Sequence, residues 1–241
     1  MAIAYAAGGG FTVAAASTTN HTIPGTPATN DIVLCASASD GSDIVDAHTT
    51  TMTGVIQSIS GVSVDHVIEY VRQPGTPITV IPVDSTVATG SKIMPTVIQV
   101  FTGIDTTTAV DATPTTATGS TGLPNPPTSN ATTLDGAMMM CSGALDDDID
   151  VVFTAGTGYT TDFDQQDATG ATSTNGATVG VGHKLIPSAS STDDPGAYTA
   201  SGESDAWSAV TWPWRPAAGG GAARPQGPLG HPFHGPFGGP I

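Results

Sequence analysis

The sequence predicts an all-β protein: an antiparallel β-sandwich, jelly-roll-like, built from two similar halves and followed by an extended Pro/Gly-rich C-terminal tail. Three observations predict this. Short β-branched runs recur along the chain, separated by Gly, Pro, Asn and Asp. Helical periodicity is nearly absent: "DSTVATGSKI" (84–93) offers a single turn, and its Thr, Val and Gly weaken it. Two stretches of the chain, about 100 residues apart, share one layout.

The first half, about 1–110, begins with the strand-like "GFTVAAAS". "DIVLCASAS", "TGVIQSISGVSV", "HVIEYVRQ", "PITVIPV" and "PTVIQVFTGI" follow. The second half, about 111–215, contains "GAMMMCSGAL", "DVVFTAG", "ATVGVGHKLI", "GAYTAS" and "AWSAVTWPWRP". "TPATNDIVLCASASDGSDI" (26–44) and "SNATTLDGAMMMCSGALDDDI" (129–149) match in layout: a Thr/Asn-rich approach ends in Asp, an apolar strand carries Cys, and an acidic loop follows. "SKIMPTVIQVFTG" (91–103) and "SDAWSAVTWPWRP" (204–216) match as closing strands. Two such units facing each other across one core suit residues 1–215 as a single body, and tandem sandwiches are the rival arrangement.

Charge narrows the function classes. Of 241 residues only 11% are charged, against about 25% in average proteins, while 38% are hydrophobic. The net charge of −16 repels phosphate backbones, so nucleic acid is not an expected partner. All 21 acidic groups lie at or before Asp205, so residues 1–214, with 3 basic groups, carry −18; Arg215 and Arg224 leave the rest at +2. Sheet edges normally need charge to avoid pairing with other chains. Here Pro77, Pro82, Pro95 and Pro187 are expected to blunt some edges, and neighbouring subunits to cover others.

No catalytic motif stands out. Cys35 and Cys141 sit in apolar runs and read as buried free thiols, with a disulfide as the alternative. The first 16 residues lack Lys and Arg, so no signal peptide is expected, and no apolar run reaches the ~18 residues of a membrane span. The acidic clusters "DDDID" (Asp146, Asp148, Asp150) and "DFDQQD" (Asp162, Asp164) read as solvated loops; the alternative is a Ca²⁺ site, and otherwise no cofactor is expected. Trp207, Trp212 and Trp214 read as core packing, with glycan stacking as the alternative; alternation sets Trp207 on the face opposite the other two.

Four stretches resemble a β-sandwich module of bacteriophage virion proteins and related bacterial surface proteins. "TPATNDIVLCASAS" resembles its opening strand. "VIQVFTGIDTTTAVDAT" (97–113) resembles a core strand running into a G-x-D-x-x-x-x-V-D-A loop. "GTGYTTDFD" (156–164) sits where the module carries Gly-Trp-Thr, with Tyr159 in place of Trp. "AWSAVTWPWRPA" resembles its closing strand, ending in Arg-Pro. The resemblance covers about residues 5–217 and implies a structural or surface-binding role without catalytic residues.

The tail, 216–241, lies outside that resemblance. It holds six prolines and eight glycines and has no core of its own. Leu229, His231, Phe233, His234, Phe237 and Ile241 are its expected docking residues. The expectation is therefore a non-enzymatic virion protein, made in the host cytoplasm and anchored by its tail to other virion proteins. A capsid decoration subunit (cement or head fibre) comes first. A tail or receptor-binding component touching host glycans and a bacterial carbohydrate-binding module are the alternatives. A homo-oligomer, a trimer or another symmetric form, is expected, without membrane insertion.

Overall fold

Twelve strands and no helix make up the described part of a computed structural model, which covers residues 2–14, 18–40, 52–59, 64–84, 93–147, 152–166, 176–200 and 205–218. In chain order they are β1 (Ala4–Ala14), β2 (Thr18–Thr22), β3 (Ile32–Asp40), β4 (Gly54–Ile59), β5 (Val64–Arg72), β6 (Val80–Asp84), β7 (Ile93–Thr102), β8 (Thr115–Gly119), β9 (Ala137–Asp147), β10 (Thr160–Gln166), β11 (Gly176–Ile186) and β12 (Trp207–Trp214). Most of the weak turn at 84–93 lies outside the described residues. Nothing among the described residues is a helix long and apolar enough to cross a membrane.

Two five-stranded antiparallel sheets face each other, with orders β1-β7-β3-β5-β4 and β8-β12-β9-β11-β10. Each sheet draws on one contiguous stretch of chain, and no strand of either stretch crosses to the other sheet. Numbering the strands of each sheet by their sequence gives the same spatial order twice: first, fifth, second, fourth, third. The second strands, β3 and β9, are the two sheet centres. β1 lies over β10, β7 over β11, and β5 over β9 and β12. A two-fold axis passing between β3 and β9 would produce this arrangement.

The period of two explains the core. On β3, Ile32, Leu34, Ala36 and Ala38 point inward; on β9, Met138, Met140 and Ala144 meet them. Phe101, Trp212 and Trp214 pack in the same layer. The opposite faces are covered too, which is why these strands read as continuous apolar runs. The pair β2–β6 packs Ile23, Ile81 and Val83 on Val33, Cys35 and Val67. Phe153, Tyr198 and Ile186 pack on Met139, Cys141 and Leu145. Both cysteines are therefore thiols outside any disulfide, buried on outer sheet faces, and burial pushes the Cys35 thiol well up, with Glu69 adding to it. A Cβ on Gly143 would come within 2.7 Å of Pro124 and 3.0 Å of Tyr198, so glycine there lets Tyr198 lie against the sheet.

Proline placement corrects one expectation. Pro95 lies in β7, an inner strand with neighbours on both sides, opposite Thr12 of β1. It is tolerated because the β3–β7 ladder stops at Thr96, so Pro95 needs no donor on that side. Pro213 is placed alike: β8 pairs with β12 only as far as Thr211.

Candidate functional site

Residues 97–113 and 206–217 come together at one rim of the sandwich. Neither stretch predicts the other. Beyond β7 the chain turns at Gly103, whose φ is +76° and where a Cβ would run into the Ala2 carbonyl. It then runs antiparallel to the end of β12, with bridges Ile104 to Pro216 and Val110 to Trp214. Backbone hydrogen bonds close this clamp. Asp105 N donates to Arg215 O (2.8 Å), Arg215 N to Ala109 O (2.7 Å), Asp111 N to Pro213 O (2.9 Å) and Ala217 N to Gly103 O (2.9 Å).

The two aspartates of the loop have separate tasks. Asp105 Oδ1 accepts from Thr107 N (2.9 Å) and Thr108 N (2.8 Å), shaping the turn. Those two donors hold its carboxyl below the usual value. Asp111 is buried; it accepts from Thr133 N and Thr133 Oγ1, and Arg215 Nη1 lies 3.5 Å away. Arg72 completes the rim by donating to the carbonyls of Asn30 (2.9 Å) and Asp105. Arg215 and Pro216 are thus fixed in place where residues 216–241 begin.

Beside this exit lies an open cleft of about 610 Å³, whose lining includes Ala6, Thr26, Ala28, Asp31, Ile104 and Ala217. Small apolar and hydroxyl side chains of this kind suit a peptide or an apolar side chain. Asp31 is the one ionisable side chain in this lining, and its Oδ2 accepts from Ala28 N (2.7 Å).

Trp212 and Trp214 are fully buried between the sheets and offer no face to a sugar. Trp207 lies on the other side of β12, half-buried, and donates from Nε1 to Thr121 O (3.1 Å). Asp146 is on β9, while Asp162 and Asp164 are on β10, with β11 between them. Asp146 is in register with Ala177 and Asp164 with Gly180. Two strand spacings and three residues of rise, each roughly 10 Å, therefore separate them. No three His, Cys, Asp or Glu side chains among the described residues are grouped to hold a metal ion. Asp148 and Asp150 lie outside the described residues, as do Leu229, His231, Phe233, His234, Phe237 and Ile241.

Tyr159 is a structural anchor. Its hydroxyl donates to Asp193 Oδ2 (2.7 Å), and Lys184 Nζ bonds Asp193 Oδ1 (2.7 Å). Burial, then that hydrogen bond, raises the phenol well above its usual value. Comparison with protein families, characterised proteins and solved structures found no match to this chain.

Proposed function

We propose that this chain is a non-enzymatic structural protein of a bacteriophage particle. In this reading it is a capsid decoration subunit whose sandwich is displayed and whose segment 216–241 binds another virion protein. The clamp around Arg215 and Pro216 carries the reading. Four backbone hydrogen bonds and a buried carboxylate brace the point where a tether would pull on the body. Charge supports it: residues 1–214 carry −18 and the remainder +2, so the segment and the body differ in the surfaces they attract. The small apolar and hydroxyl side chains of the cleft at this rim suit contact with a peptide. We also infer that the two halves derive from one five-stranded unit, on the strength of their shared strand order.

The test removes residues 219–241 and keeps the clamp. The expected product folds and melts like the full chain but fails to join particles assembled in its presence. Full occupancy of the shortened chain on particles would overturn the reading.

A further inference from the structure

Each five-stranded sheet ends in two edge strands among the described residues: β1 and β4 in one, β8 and β10 in the other. Three of these edges carry a built-in obstacle to pairing with another chain. β1 shifts register between Tyr5 and Ala7, β4 between Val55 and Gln57, and β10 between Thr161 and Phe163. β10 also carries Asp162 and Asp164.

β8 has none of these. Its ladder to β12 runs without interruption from Thr115 to Gly119. It contains no charge and no proline, and Thr116 and Thr118 are exposed. At its start the segment 128–130 lies alongside: Thr115 Oγ1 donates to Thr128 O (3.1 Å) and Asn130 Nδ2 to Thr113 O (2.8 Å). From Thr116 to Gly119 the outward backbone groups have no partner among the described residues.

We propose that β8 is a self-association edge, which pairs antiparallel with β8 of a second copy about a two-fold axis and joins two five-stranded sheets into one of ten. Charge selects this occupant. Each copy carries −16, so two copies approach only where like charges are not set opposite one another. Residues 112–134, which include β8, contain no charged side chain. The uncharged stretch 1–30 includes β1, but β1 is interrupted by its bulge and by Gly8, Gly9 and Gly10. Segment 216–241 cannot supply the strand, because proline recurs at 225, 228, 232, 236 and 240 and removes the donors a ladder needs. Threonines facing threonines across the new pair add cross-strand contacts. An isologous pairing of this kind closes at two copies. This edge is separate from the segment on which the virion reading rests, so either can fail alone.

The full chain is measured by sedimentation equilibrium from low micromolar to near-millimolar concentration. The expected species has twice the chain mass of 24.0 kDa. The double variant Thr116→Lys/Thr118→Lys should weaken self-association at least about a hundredfold, with an unchanged melting temperature at concentrations where both chains are monomeric. In the unaltered chain, deuterium exchange at amides 116–119 should slow as concentration rises, which tests the edge without any substitution. A monomer at every concentration overturns the proposal. So does self-association that the lysines leave intact, or a trimer in which amides 116–119 exchange freely.

Discussion

The rings of Phe101 and Trp214 lie 6.3 Å apart, centroid to centroid, and are inclined by 51°. They hold equivalent places. Phe101 closes the fifth strand of its sheet opposite Ile32, and Trp214 closes the fifth strand of the other opposite Met138. Tyr70 and Trp212 meet Trp214 edge-on at 5.3 and 5.9 Å. This aromatic knot ties the two sheets together near the clamp.

Trp214→Ala should therefore cost about 3–5 kcal/mol, because it opens a large cavity between the sheets. Trp207→Ala should cost about 1–2 kcal/mol, since that ring is half-buried and loses one hydrogen bond. Urea denaturation of both variants checks the difference; equal costs would contradict the placement of the two rings.

His66 provides a pH test. It is wholly buried; Nε2 is 3.0 Å from Ser142 Oγ, which donates to Gly180 O at 3.0 Å. With the hydroxyl proton committed to Gly180, Nε2–H donates to Ser142, and Nδ1 has no hydrogen-bond partner. Burial lowers the imidazole to about 3. The unfolded chain takes up a proton near pH 6.5 and the folded chain does not, so stability falls as pH drops from about 6.5 toward 3. By pH 4.5 the loss from this group is about 2–3 kcal/mol. The double variant His66→Val/Ser142→Ala should lose less stability between pH 7 and 4.5 than the wild type. Identical losses, read from urea midpoints at both values, would sink this account.

Asp111 and Arg215 should respond unequally. The Asp111 carboxylate is wholly buried, while the Arg215 side chain is 33% exposed at 3.5 Å. Asp111→Ala leaves Thr133 N without its acceptor and should cost about 1–3 kcal/mol. Arg215→Ala should cost no more than about 1 kcal/mol. Thermal melts of the two variants at neutral pH decide it, and a larger loss for Arg215→Ala would reverse the assignment.

Gly143→Ala tests the outer layer. The new methyl would press on Pro124 and Tyr198 and should cost about 1–3 kcal/mol. A neutral effect in denaturant titrations would mean that Tyr198 shifts freely.

The strand runs, the buried cysteines and the opposite faces of Trp207 and Trp212 were legible because they follow from local pattern. Alternation with period two requires only neighbouring residues. The acidic clusters read as loops, whereas Asp146 lies in β9 and Asp162 and Asp164 in β10; whether they converge was not legible either, because that depends on β11 lying between β9 and β10. Pro95 was misjudged as an edge device for a related reason: which side of a strand lacks a partner is a property of ladder length.

By itself the sequence determined an all-β chain, a charge-poor acidic body and two stretches of related layout, all of which depend on residue type and spacing alone. Only the tertiary structure decided that each stretch builds its own sheet. It also decided that Asp111 meets Arg215 across 104 residues and that, of the four edges of the two five-stranded sheets, β8 is the one without a bulge. Those features arise from which strands pair and how far each ladder runs. Pairing over such separations is chosen by the burial of whole faces at once, and no short segment encodes it.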